Sequence, residues 1–144
     1  MIFVASDHAG VDLKSRIVAL VGEDGHDVRD LGPADTTSVD YPDYAHAVAE
    51  AVATGEAERG ILICGTGIGM SMTANRHPLV RAALCHDALT AEMARRHNDA
   101  NVLCFGARTT GLGVAEQMVR IFLATPFDGG RHQGRVEKIE REGR

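Results

Sequence analysis

Apolar positions along this chain recur in two alternating patterns. Met1–Ser6 is a near-continuous apolar run and reads as a buried strand. Val11, Leu13, Ile17, Leu20 and Val21 then recur at helical spacing, ending near Gly22–Gly25. Asp27–Leu31 predicts a short second strand. Asp40-Tyr41-Pro42-Asp43 opens a helix, with Pro in its first turn and Ala45, Val48, Ala49 and Val52 as its stripe up to Gly55. Gly60–Cys64 is the most strand-like segment, and a short helix after Gly67 runs to about Arg76. Val80–Cys85 predicts a fourth strand. Asp87 reads as the N-cap of a helix with Leu89, Met93 and His97 on one face. Asn101–Phe105 predicts a fifth strand. Thr110–Leu123 predicts a helix with Leu112, Ala115, Val119 and Phe122 facing in, stopped by Pro126, and a short polar helix follows from about Arg131 to Arg141.

Strands that are apolar on both faces, each separated by a helix, predict a parallel sheet covered on both sides. Right-handed crossovers make this an α/β, doubly wound, five-stranded sheet. The expected order is the flavodoxin-like 2-1-3-4-5. Its switch point falls between the first and third strands, and ligands bind there, past the C-terminal strand ends. The segments at that crevice are Asp7-His8-Ala9-Gly10 and Cys64–Gly69. Residues 1–144 form one domain, because a chain of this length supports a single core.

Composition narrows the function classes. The net charge is −5 and no long basic run exists, which argues against nucleic acid or an anionic membrane as partner. Aromatic residues make up 4% of the chain and Trp is absent, so Val, Ile, Leu, Ala and Met must build the core. Three cysteines at wide spacing, without a C-x-x-C pair, indicate neither a disulfide framework nor a zinc ribbon. The chain opens directly into an apolar run, with no signal-peptide pattern and no stretch long enough to span a bilayer. A reduced, cytoplasmic setting is the expectation.

The candidate chemistry lies in two distant segments. Gly65-x-Gly67-x-Gly69 is no dinucleotide fingerprint, because Met70 breaks G-x-G-x-x-G and the turn follows the third strand. No G-K-[ST] follows, so it is no P-loop. A phosphatase loop of the Cys-x5-Arg kind would need Arg where Met70 stands. The open alternatives are a plain strand-to-helix turn and a backbone nest able to hold an oxyanion. Cys64 at its mouth suits proton transfer or nucleophilic attack beside such a nest. Cys85 and Cys104 read as small buried hydrophobes. Asp7-His8 lies at the same crevice, and Arg108 follows the fifth strand at the same sheet end. Far downstream, Arg131 and Arg135 stand four apart, so on a helix both planar guanidinium groups point the same way and suit a phosphate; the open alternative is a pair of plain surface charges. His97 closes the fourth helix. Arg95 and Arg96 read as a solvated face. His26, His46, His77, His86 and His132 show no metal-ligand spacing, so no metal site is expected.

Five segments occur in order: Asp7-His8-Ala9-Gly10, Asp40-Tyr41-Pro42, Cys64-Gly65-Thr66-Gly67-Ile68-Gly69, His97-Asn98-Asp99-Ala100-Asn101-Val102-Leu103, and Gly130-Arg131-His132 with Arg135-Val136. Together they resemble the type B ribose-5-phosphate isomerases, a family that also holds the galactose-6-phosphate isomerase subunits. The resemblance covers essentially the whole chain. It implies an aldose–ketose isomerase that needs neither metal nor cofactor and interconverts ribose 5-phosphate and ribulose 5-phosphate in the pentose phosphate pathway. It also implies a homodimer, with a tetramer as the larger alternative, whose sites take residues from both chains. By position, Cys64 corresponds to the catalytic base, Thr66 to the hydroxyl beside it and His97 to the residue that helps open the sugar ring. Asp7 and Asn98 correspond to groups that handle substrate hydroxyls. His8, Arg108, Arg131 and Arg135 correspond to the phosphate-binding set, Tyr41 to a residue lining the site, and Gly65, Gly67 and Gly69 to the turn that faces the substrate. One branch uses a Glu base six positions on and lacks the Cys; here that position is Met70. Other expectations compatible with the residues are an isomerase of a hexose 6-phosphate (allose or galactose) or a tetrose 4-phosphate, and a non-catalytic sugar-phosphate sensor.

Overall fold

The computed structural model describes residues 1–140. Five strands, β1 (Ile2–Ser6), β2 (Val28–Asp30), β3 (Arg59–Cys64), β4 (Ala82–Leu84) and β5 (Val102–Gly106), form one all-parallel sheet. Six helices join them: α1 (Val11–Glu23), α2 (Tyr41–Thr54), α3 (Ile68–Ala74), α4 (Ala88–Arg96), α5 (Leu112–Ala124) and α6 (Arg131–Glu137). The α/β doubly wound class is as expected. The polar last helix was expected to reach Arg141, which lies outside the described residues.

The strand order is β2-β1-β3-β5-β4, so the expected 2-1-3-4-5 is corrected at its last two places. Burial explains the exchange. All five residues of β5 are buried, whereas β4 keeps only three residues, all half-exposed. A strand apolar on both faces belongs inside the sheet, and a short, half-exposed one at its edge. Right-handed crossovers then put α2 and α3 on one face, packed on Phe3, Leu62 and Cys104. On the other face α1, α4 and α5 pack on Val4, Ile61, Leu103 and Phe105. β3 is therefore flanked on both sides by strands whose following helices cross the opposite face. Topological switch points therefore fall on each side of its C-terminal end, one more than the expected order provides.

Local signals work largely as read. Asp87 caps α4 through a full capping box with Thr90. Pro42 sits in the first turn of α2, and Gly55 closes that helix in the left-handed region at φ +83°. Two faces are corrected. In α4 the buried residues are Ala91, Ala94 and Arg95, while Leu89 is 63% exposed. Arg95, expected on a solvated face, is 4% exposed, because its guanidinium donates to the carbonyls of Thr125 and Ala100 and to Asp99. In α5 Leu112 is exposed and Met118 takes the inward place. Lys14 is also buried, with Nζ 2.7 Å from both oxygens of Asp30. Asp30 accepts in turn from Gly32 N at 2.8 Å, and Gly32 O accepts from Ser6 N at 3.1 Å. This chain of bonds clamps the β2–α2 connection to the end of β1.

Candidate active site

The first cluster of site residues forms where β1, β3 and β5 end. Asp7 continues β1 by donating its N–H to Ile63 O at 3.0 Å. Its Oδ1 accepts from Ala9 N at 2.9 Å and so caps a single 3-10 turn over His8–Gly10. Only glycine fits at the end of that turn, since a Cβ on Gly10 would stand 3.0 Å from Ile63 O. Asp7 is 8% exposed, and among the described residues its second oxygen has no partner. His8 Nδ1 accepts from Val39 N at 3.2 Å. The neutral ring therefore carries its proton on Nε2, which is left for a ligand.

Cys64 ends β3 and is 5% exposed. Its Sγ accepts from Gly67 N at 3.0 Å. That donor exists because Gly67 adopts φ +81°, where a Cβ would lie 2.8 Å from the Phe105 backbone. Thr66 Oγ1 accepts from Ile68 N at 3.3 Å, so its own hydroxyl proton is free to donate outward. Tyr41, the first residue of α2, lies against Gly69, where a Cβ would come 2.5 Å from the ring. Ala107 N donates to Cys64 O at 2.8 Å and Arg108 N to Gly65 O at 3.0 Å, so β5 holds the turn from behind and aims Arg108 across Gly65. The other thiols differ. Burial raises Cys104 well above its usual range and pushes Cys85 up to about 11. Neither has a role as a base at neutral pH.

The second cluster lies elsewhere. His97, Asn98, Arg131, His132, Arg135, Val136 and Ile139 line a cavity of about 420 Å³ between the end of α4 and α6. The imidazoles of His97 and His132 stack with centroids 4.3 Å apart and planes 13° from parallel. Burial, His97 and Arg131 lower the pKa of His132. His97, His132 and Asp128 bring possible metal-ligating atoms within 4.8 Å of one another, a grouping that linear spacing does not reveal. Asp128 is already held by Arg96, at 3.2 Å to both oxygens, and Arg131 and Arg135 stand beside the cavity. The surroundings favour an anion over a cation. A separate hollow of about 440 Å³ beside Val39 is lined by Asp40 and Asp43, which suits no phosphate.

The expected residues thus come together as two groups. Asp7, His8, Tyr41, Cys64, Gly65, Thr66, Gly67, Gly69 and Arg108 share the C-terminal edge of the sheet. His97, Asn98, Arg131 and Arg135 belong to the opposite edge: Asn101 O accepts from Gly60 N at the start of β3, and Arg81, just before β4, donates to the carbonyls of Asn98 and Asp99. β3 spans six residues, so the two edges lie roughly 17–20 Å apart at about 3.3 Å per residue.

The model of the ribose/galactose isomerase family matches residues 2–139. The chain belongs to that family. It is an isomerase. Among the relatives of this isomerase, ribose-5-phosphate isomerase B of Escherichia coli is 49% identical over 133 residues, covering 92% of this chain and 89% of that protein. The solved structure of Trypanosoma brucei type B ribose 5-phosphate isomerase superimposes with a TM-score of 0.93 at 51% identity, covering 96% of this chain and 95% of that one. D-erythrulose-4-phosphate isomerase of Pectobacterium atrosepticum is 40% identical over 140 residues, covering 96% of this chain and 91% of that protein. Sequence reasoning about this isomerase missed His132 as a cavity residue. The signal was its place between Arg131 and Arg135, on the same turn of α6.

Proposed function

We propose that this isomerase interconverts ribose 5-phosphate and ribulose 5-phosphate through an enediolate, with Cys64 as the base. The observation that carries the reading is the Gly67 N–H on Cys64 Sγ at 3.0 Å, a fixed donor on the sulfur that must hold negative charge. The site is assembled from two copies of the chain. The Cys64 cluster of one copy meets the His97–Arg135 cluster of the other, since one copy keeps them on opposite edges of its sheet. Exposed apolar side chains border both halves and support such a contact: Ile68 and Met72 on α3, Leu79 and Ile139 beside the arginine cavity.

In this reading Arg131 and Arg135 hold the phosphate, with His8 Nε2 and Arg108 approaching from the partner copy's edge. His97 moves a proton between the anomeric hydroxyl and the ring oxygen, which opens the furanose. Cys64 thiolate takes the C2 proton. Gly67 and Ile68 N–H are committed to Cys64 Sγ and Thr66 Oγ1, so the remaining amides of the turn and the Thr66 hydroxyl stabilise the enediolate. Cys64 then returns the proton to C1 as the O2 hydroxyl proton passes to O1 and C2=O2 forms, with Asp7 and Asn98 binding the hydroxyls. The steps call on no metal or cofactor, and a free thiol base suits a reducing, cytoplasmic compartment. A tetrose 4-phosphate is the second reading, favoured by the 40% identical relative named for D-erythrulose 4-phosphate.

The test is isomerisation by the purified protein without added metal, with ribose 5-phosphate, erythrose 4-phosphate and allose 6-phosphate compared. Cys64→Ala should lower kcat on the preferred sugar by at least about 1000-fold while leaving binding intact. Near wild-type turnover in that variant would remove Cys64 as base. Preference for the tetrose would move the substrate and keep the mechanism.

A further inference from the structure

His132 has no role in the steps above, yet it is the aromatic group laid against the one that opens the sugar. His97 follows the last turn of α4, with only its backbone N–H tied back, to Met93 O at 2.9 Å. Among the described residues its ring nitrogens make no hydrogen bond, so nothing but packing sets the plane of the ring. The packing partner is His132, at 4.3 Å between centroids and 13° from parallel. His132 is itself well placed to act as a platform. Its N–H donates to Gly129 O at 3.0 Å, and the chain before it is pinned by Asp128 N on Arg96 O at 3.0 Å. One turn further on, Val136 is 8% exposed and fixes α6 to the body of the protein. The same face-to-face geometry demands that the platform stay uncharged, since two stacked imidazolium rings would repel. Burial and the neighbouring Arg131 favour the neutral ring.

We propose that His132 is a positioning residue for ring opening: it holds the His97 imidazole in the plane from which a proton passes between O1 and O4 of the closed sugar. The inference rests on the reading of His97 as the ring-opening group. In that step the C1–O4 bond breaks with its electron pair going to O4, which takes a proton from His97. The O1 hydroxyl yields its proton to His97 as C1=O1 forms. A tilt of the donor ring degrades both transfers, whereas the later enolisation at Cys64 does not involve His97.

That difference supplies a readout which a general structural role would not move. Ribose 5-phosphate closes through O4. Erythrose 4-phosphate carries its phosphate on O4, forms no five-membered ring and reaches Cys64 already open. The experiment compares kcat and KM of wild type, His132→Ala, His132→Phe and His97→Ala on both sugars. Where the tetrose is turned over too slowly to measure, deuterium uptake from heavy water at C1 of ribulose 5-phosphate, also an open chain, replaces it. His132→Ala should lower kcat on ribose 5-phosphate at least about tenfold, approaching His97→Ala, while the open-chain readout changes by less than about threefold. His132→Phe, which keeps a flat ring under His97, should stay within about threefold of wild type on ribose 5-phosphate. Equal losses on closed and open substrates would overturn the inference and leave the isomerase reading standing. A His132→Phe as poor as His132→Ala would also overturn it, because the nitrogens of His132 and not its plane would then matter. A wild type inactive on every sugar would instead remove the proposed function, and this inference with it.

Discussion

At the scale of single residues, what surrounds a sulfur separates one thiol from two others of the same sheet. Cys85 and Cys104 are buried where burial, above all, raises their pKa, to about 11 for the first. Cys64 stands at a strand end with a backbone N–H on its sulfur, and that bond depends on one backbone angle. Gly67→Ala tests this dependence. A side chain at φ +81° is strained, and its Cβ would collide with the Phe105 backbone at 2.8 Å. The variant should lose about 1–3 kcal/mol of stability, read by denaturant unfolding, and should lower kcat further than that loss explains. Unchanged turnover would show that the Gly67 donor is dispensable. The charged residues carry a complementary lesson. Arg95 and Lys14 look like surface residues in the sequence, and both are buried because the Thr125 carbonyl meets the first and the Asp30 carboxylate the second, each from a distant segment. Periodicity cannot report such partners, since they come from other elements.

At the scale of elements, most of the fold was legible because apolar runs and caps are local signals. α2 and α4 begin where Pro42 and Asp87 indicate. The exchange of β4 and β5 was not legible in the same way: both segments are apolar, and what separates them is that only three residues of Val80–Cys85 pair in the sheet. The capping box of α4 matters beyond that helix, because α4 carries His97 at its far end. Thr90 N donates to Asp87 Oδ1 at 2.8 Å. Asp87→Ala should cost about 1 kcal/mol, measurable as a lowered Tm, with Asp87→Asn recovering most of it. No change in Tm would mean that tertiary contacts alone hold the first turn. In the proposed function His97 takes part in the chemistry, so fraying at the end of α4 would reach it, and hydrogen exchange at His97 and Asn98 is the place to look for it.

At the scale of the molecule, the sheet imposes the argument for two copies. A residue that ends a strand and a residue that ends a helix antiparallel to it occupy opposite edges of a parallel sheet. Cys64 and His97 are such a pair, so their separation was implicit in the sequence once strand and helix were assigned. The most direct test of the account mixes two variants that are each inactive: Cys64→Ala, and Arg131→Ala combined with Arg135→Ala. After subunit exchange, half of the dimers carry one copy of each, and every such dimer has one site free of substitutions. The account predicts recovery of about a quarter of wild-type ribose 5-phosphate isomerisation per chain. No recovery, in mixed dimers captured through two different tags, would contradict it and confine the chemistry to a single chain.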